Sequence, residues 1–330
     1  MVALDPGAPA IEAAIAAGTN LLVTHHPFIF TPLKKITAAD ETGRLALLAT
    51  KHDLSIISLH TNLDIASGGV NDLLAERIGL TATEPLRITG GQEFLKLAVF
   101  VPKGHEEGVL KALAPFSPFL GNYRDCSFQG EGVGRFTALP GATPFAGEVG
   151  VPRCEPESRL ELLIDKDRLN PALAALRSAH PYEEPAFDLY PVLNRGESRG
   201  LGRIGKLPEP MSAQAYALSV KERLGAEGVR LVGDPERPVQ KIALCSGSGA
   251  SLLHDAARKG ADLLVTGDLK YHEARDAEAL GVAVVDAGHF ATERIMIDGL
   301  AEALRKALEA RRFEAEIITC QGEREPFRFL

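Results

Sequence analysis

Two distant stretches of the chain, VALDPGAPAIEAAIAAGTNLLVTHH at residues 2–26 and IALCSGSGASLLHDAARKGADLLVTGD at residues 242–268, follow one pattern. Each reads as a short apolar strand, a Gly/Ser/Pro turn, an Ala-rich helix ending at Gly18 or Gly260, and a second strand, LLVT, of the continuous apolar type buried on both faces. The likeness extends further, because DLSIISLHTNLD (53–64) and GVAVVDAGHFATE (281–293) each run a third apolar strand into a histidine followed four residues later by an acid. Ala-rich helices between β-branched strands predict parallel pairing with helices packed on the sheet faces. The two copies are expected to be halves of one α/β domain with a duplicated βαβ unit, residues 1–90 supplying the first half and 196–330 the second.

Between them the pattern changes. Residues 94–192 read as strand (FLKLAVFVP), helix (HEEGVLKALAPF), two turn-rich strands around CSFQGEGVGRFTAL and ESRLELLIDKD, helix (RLNPALAALRSAH) and strand (PAFDLYPV). This βαββαβ order is the ferredoxin-like α+β arrangement. Gly90-Gly91 and NRGESRGLGRIG (194–205) read as flexible entry and exit. Residues 91–195 are therefore read as an insertion, although an independent middle domain fits the same pattern. A length of 330 residues agrees with about two domains. The chain opens directly on a strand, with no element before it to cover the sheet, as a start codon placed too far downstream or a true truncation would produce.

Charge and cysteine usage narrow the function classes. Lys+Arg 36 against Asp+Glu 44 gives a net charge of −8 with no dense basic tract, which argues against nucleic acid as a partner. Cys126, Cys154, Cys245 and Cys320 are far apart and form no C-x-x-C, so neither a disulfide framework nor a thiolate zinc site is indicated. No apolar run reaches spanning length and MVALDPGAP lacks the features of a signal peptide, so a cytoplasmic protein without a membrane partner is expected.

The candidate chemistry lies at predicted strand ends. His25 and His26 close the LLVT strand, and Pro27 forces His26 toward extended geometry, so the rings are expected to diverge into the crevice where α/β folds bind ligands. Diverging rings suit two metal ions better than one. His60 with Asp64, and His289 with Glu293, form i, i+4 pairs at helix starts, which places histidine and carboxylate on one face. Each pair alone is read more simply as a helix-stabilising acid beside a capping or packing histidine. Jointly the three clusters fall on a duplicated unit whose copies face one crevice. Imidazole and carboxylate without thiolate suit Zn, Fe, Mn, Co or Ni, and a carboxylate can bridge two ions. Two such ions roughly 3.5–4 Å apart activate water for hydrolysis.

HHPFIFTPLKKI, SLHTNLDIASGGVNDLLAE, VTGDLKYHEA and DAGHFATER together resemble the Nif-three-like family of dinuclear-metal, toroid-forming hexameric proteins, often labelled GTP cyclohydrolase 1 type 2 homologues. The likeness covers nearly all of 1–85 and 200–330. It implies two divalent metal ions per chain, His26 and Asp64 holding one, His25 and His289 the other, and Glu293 bridging both. His60 matches a family position close to the metals, where it is expected to support a ligand from behind or to move protons. In the longer members a CutA/PII-like ferredoxin-like module interrupts the metal domain, and HPYEEPAFDLYPV (180–192) resembles its closing segment. Family members usually begin before the point where this chain does, so the likeness is to an N-terminally short member. A homo-oligomer, a hexamer, is implied with it.

In the second copy Asp268 stands where the first has His26, with His272 one turn on; an N-cap with a surface histidine is one reading, a substrate contact the other. His52, His105, His180 and His254 are read as surface residues, and GSGAS (247–251) as a tight turn rather than an anion site. Two functions follow. One is a metal-dependent hydrolase of a nucleotide or similar small molecule, with His60 as catalytic residue. The other is a non-catalytic metal-binding or regulatory protein whose inserted domain binds a partner or effector.

Overall fold

A computed structural model of the chain describes residues 1–329. Its strands are β1 (Val2–Ala3), β2 (Leu21–Thr24), β3 (Ser55–Ser58), β4 (Thr81–Pro102), β5 (Ser127–Thr137), β6 (Pro152–Asp165), β7 (Phe187–Ser212), β8 (Arg230–Val232), β9 (Pro238–Ser248), β10 (Leu263–Gly267) and β11 (Ala283–Asp286). The fold is mixed α/β with flanking helices. The chain forms two compact units, one made of Met1–Gly90 with the chain from Arg199 on, the other of Gly91–Ser198.

In the first unit β1, β2 and β3 form a parallel sheet in chain order, and β9, β10 and β11 form a second parallel set in the same order, with β8 added antiparallel to β11. Side-chain alternation explains why β1, β2, β10 and β11 are apolar over most of their length, whereas β3, SIIS, is half exposed. Ala3 and Leu22 pack into one cluster with Ile11 and Leu45, while Val2 and Val23 pack on the other side with Met296 and Leu300. Likewise Ile242, Leu244 and Val265 belong to one cluster and Ala243, Leu264 and Val284 to another. Each fully buried aliphatic side chain contributes about 1.5–3 kcal/mol, so strands buried on both faces hold the frame on which the site is built. The helix Ala8–Ala16 starts with proline in its first turn and ends before Gly18 at φ 66°, and Gly260 at φ 67° follows the helix Leu253–Arg258 in the same way. The edge of β1 is not bare: Val2 N–H donates to Ile318 O and Cys320 N–H to Val2 O, both at 2.8 Å.

The second unit runs strand, helix (Glu106–Leu113), strand, strand, helix (Leu169–Ala179), strand, with neighbours in the order β5-β6-β4-β7. Leu97, Val99, Leu160 and Leu162 pack against Val109, Leu113 and Leu176 from the two helices. The connections expected to be flexible are not: residues 90–91 lie within β4 and residues 194–205 within β7. Their glycines serve close approach instead. A Cβ at Gly200 would fall 2.0 Å from Arg87 O, and one at Gly196 would fall 2.7 Å from the Phe94 ring. Among the described residues no helix is long and apolar enough to cross a membrane.

Candidate metal centre

β2 stops at Thr24, and the N–H groups of His25 and His26 both turn to Leu4 O, at 3.2 and 3.0 Å. Thr24 Oγ1 fixes the bend by donating to His26 O at 2.8 Å. Because the strand has ended, the two rings do not go to opposite sheet faces; their centroids lie 5.2 Å apart with a 47° tilt. β3 and β11 deliver the other residues. His60 precedes the short helix Thr61–Ile65 that carries Asp64, and His289 opens the helix His289–Glu293. All of these sit at the carboxyl ends of parallel strands, where α/β sheets leave room for ligands.

Three imidazoles have one nitrogen committed to an acceptor. His25 Nδ1–H donates to Leu59 O at 2.8 Å, His26 Nδ1–H to Asp5 Oδ1 at 2.7 Å, and His289 Nδ1–H to Asp268 Oδ2 at 2.7 Å. A carbonyl and two carboxylates only accept, so in each neutral ring the proton is on Nδ1 and the Nε2 lone pair faces inward. This is how ligating histidines are held.

The inward atoms converge. Glu293 Oε2 lies 3.0 Å from both His26 Nε2 and His289 Nε2, and those two nitrogens are 3.3 Å apart. His25 Nε2 lies 3.6 Å from Asp64 Oδ1 and 3.6 Å from Glu293 Oε1. The distances thus pair His25 with Asp64 and His26 with His289, whereas the family resemblance implies the crossed pairing; Glu293 stands between the two pairs either way. His25 Nε2, Asp64 Oδ1 and Glu293 Oε2 are buried without a hydrogen-bond partner. So many electron-pair donors in a buried space repel one another unless positive charge sits among them, as protons or as a cation. The donor set, imidazole and carboxylate with no thiolate, fits divalent transition metals. Two groups could hold an ion: His25, His26 and His60, and His26, His289 and Glu293.

Titration follows the same logic. Asp5 first, then Glu293, raises His26 to about 10, and Glu293 raises His289 to about 9 against the opposing effect of burial. Burial raises the Asp64 carboxyl to about 6 against the attraction of His25. For Glu293 burial also acts upward, but the imidazoles of His25, His26 and His289 outweigh it and hold the carboxyl well below the usual range. His60 moves the other way: burial, and then His25 and His26, lower its pKa.

The remaining sequence candidates separate. His60 is in the cluster, its ring 5.3 Å from His25 and 5.9 Å from His26. Asp268 orients His289, and does so at φ 54°, a left-handed conformation that costs a non-glycine residue about 1–2 kcal/mol. His272 is exposed at the start of the helix Tyr271–Leu280, its ring against Tyr271 rather than any member of the cluster. His52, His105 and His254 are exposed. His180 is not; it is buried, donating from Nε2 to Phe100 O at 3.0 Å and accepting the Tyr182 N–H at Nδ1.

Comparison with known proteins places this geometry. A model of the Duf34/NIF3 (NGG1p interacting factor 3) family matches residues 1–326. The chain belongs to the Duf34/NIF3 family. A Bacillus subtilis (strain 168) relative named "GTP cyclohydrolase 1 type 2 homolog" is 44% identical over 331 residues, covering 100% of this chain and 88% of the relative. The crystal structure of a Bacillus cereus protein related to NIF3 superposes with a TM-score of 0.93 at 40% identity, covering 100% of this chain and 88% of that one. Staphylococcus aureus protein SA1388 gives a TM-score of 0.75 at 27% identity, with the same two coverages.

Three contributors to the site of this Duf34/NIF3 protein escape a reading of the sequence. Asp5 orients His26 from 21 residues away. Glu323 accepts N–H bonds from Leu4 (3.0 and 2.9 Å) and Asp5 (2.6 Å), fixing the backbone that carries Asp5. Gly247, near the end of β9, makes room for Glu293: a Cβ there would fall 2.2 Å from Glu293 Oε1. Only the departure from apolar character at Asp5, and the glycine where the first copy has proline and glycine, could have signalled them.

Proposed function

We propose that this chain holds two divalent metal ions, Zn, Fe, Mn, Co or Ni, through His25, His26, Asp64, His289 and Glu293, and hydrolyses a nucleotide or related small molecule. The observation that carries the reading is the set of buried, inward-facing donor atoms without hydrogen-bond partners, gathered around Glu293. Glu293 offers one oxygen to each pair of ligands. Bound ions would lower the pKa of water and polarise the substrate. The chain's own part is positional and protic. Leu59 O, Asp5 and Asp268 hold three imidazoles in the ligating tautomer. His60, whose pKa is lowered by burial and then by the neighbouring His25 and His26, would take a proton from the attacking water and return it to the leaving group.

The relatives' name, GTP cyclohydrolase 1 type 2 homolog, supports nucleotides as the substrate class. The two parallel strand sets in like order support a duplicated metal domain, 1–90 and 196–330. The βαββαβ order with neighbours β5-β6-β4-β7 supports a ferredoxin-like, CutA/PII-like insertion at 91–195. The family resemblance supports a hexameric ring and the scattered cysteines a cytoplasmic location, which sedimentation and cell fractionation test.

The deciding experiment strips the purified protein of metal, reloads it with Mn²⁺, Zn²⁺ or Fe²⁺, measures ions per chain, and screens nucleotides and phosphoesters with Asp64→Ala as control. Two ions per chain and turnover that disappears in the variant support the hydrolase. Metal uptake without turnover supports the regulatory protein, and no uptake removes both readings.

A further inference from the structure

A cavity of about 570 Å³ lies wholly within the second unit and shares no lining residue with the candidate metal centre. Its size is that of a small-molecule pocket. Strand register locates it. Gly130 faces Arg159 across β5 and β6, Gly132 faces Glu157, and Arg159 in turn faces Phe100 on β4. Opposed residues of antiparallel strands share a face, and Leu160 and Leu162 alternate to the helix-packed core, so this row lies on the face away from the helices.

That face is built for something flat. Gly130, Gly132 and Gly134 occupy three successive same-face positions of β5, followed by Phe136; Gly132 and Gly134 line the cavity, and at Gly132 the backbone is bare. The Tyr182 ring stands 6.0 Å from Phe136 and 5.9 Å from Phe145. The segment carrying Phe145 is tied down by Thr143 N–H donating to Glu183 Oε2 at 2.9 Å. Beside these rings projects Glu157, only 7% exposed. Its Oε1 accepts from Tyr182 O–H at 2.9 Å, and its Oε2 occupies the position a side chain at Gly134 would need, 2.1 Å from a Cβ there. A buried carboxylate has about four acceptor sites, and one phenol leaves most of them unused. Arg135 and Arg159 line the cavity together with Glu131, Glu183 and Glu184, so a ring that carries acceptors as well as N–H donors finds partners for both.

We propose that this cavity binds a planar nitrogen heterocycle with adjacent N–H donors, laid against the bare backbone at Gly132 beside the aromatic rings and read by the Glu157 carboxylate. The site goes beyond the metal-centre reading and does not depend on it.

Guanosine, inosine and adenosine are suitable probes, because guanosine presents a ring N–H beside an amino group, inosine keeps only the ring N–H, and adenosine lacks it. Titration calorimetry on the full-length protein is expected to rank them in that order. Glu157→Gln should weaken guanosine roughly tenfold to hundredfold, the worth of a charge-assisted hydrogen bond. Gly132→Val fills the bare position, where a Cβ meets nothing closer than 4.0 Å, and should abolish binding even if Glu157→Gln fails to fold. Absence of binding by all three probes at millimolar concentration overturns the proposal. So does adenosine binding as tightly as guanosine, or Gly132→Val binding like the unaltered protein.

Discussion

Asp5 Oδ1 accepts the Nδ1 proton of His26 at 2.7 Å, and this contact decides which lone pair His26 turns toward Glu293. Asp5 touches none of the other inward-facing donor atoms itself; it acts through the ring. Asp5→Ala should therefore leave the fold intact and weaken metal binding about 10–100-fold, as loss of a ligand's outer partner typically does. Competition against a chelator of known affinity measures the change, with Asp5→Asn falling between the two because an amide still offers an oxygen. Unchanged affinity in Asp5→Ala would count against His26 as a ligand.

Proton and metal compete for the same nitrogens, which fixes the sign of the pH dependence. His26 and His289 are raised to about 10 and about 9 from an ordinary 6.5. In chelated protein their protonation therefore stabilises the fold fully below about pH 6.5, and that contribution is lost as pH rises through 9 to 10. Metal affinity runs the opposite way, rising with pH until about 10. Loading at pH 7.5 should release about two protons per chain, read by calorimetry in buffers of different ionisation enthalpy. Proton-neutral loading would show that these two rings do not bind the metal.

Gly247 is the tightest backbone constraint on the cluster. It has φ 57° and its missing Cβ would overlap Glu293 Oε1 at 2.2 Å. Gly247→Ala must either move Glu293 or strain the turn, so both stability and metal content should fall, the former by about 1–3 kcal/mol. Thermal unfolding with and without metal separates the two effects: a variant that loses stability only in the absence of metal would contradict the placement of Gly247 against a ligand.

Much of this architecture was legible because it is local. Buried parallel strands announce themselves as apolar runs, and Gly18 and Gly260 mark helix ends by the left-handed conformation they permit. His25, His26, Asp64, His289 and Glu293 stand out in the sequence because they follow the apolar strands of a repeated pattern. What stayed hidden depends on distance in sequence. Glu323 reaches Leu4 across 319 residues, and nothing near either end declares the pairing. Glycines were ambiguous for a different reason: at positions 196 and 200 they answer close backbone approach, not flexibility, and the two uses look alike in one dimension. His180 reads as a surface residue in the sequence because its neighbours are polar, whereas its partner in the fold is the Phe100 carbonyl 80 residues back.

Glu323 offers the most discriminating test of how far support of the site extends. Its carboxylate accepts the Leu4 and Asp5 N–H groups, and burial, partly offset by those bonds, raises its pKa. Glu323→Ala leaves two backbone donors of a half-buried turn without an acceptor, at about 1–3 kcal/mol. If Glu323 acts on the site by holding Asp5, its removal weakens metal binding less than Asp5→Ala does, and adds nothing once Asp5 is gone. The double variant Asp5→Ala with Glu323→Ala should then match Asp5→Ala in metal affinity while being less stable, a non-additivity expected of residues in one contact chain. Fully additive losses in affinity would instead mean that the tail carrying Glu323 reaches the cluster by a route other than Asp5.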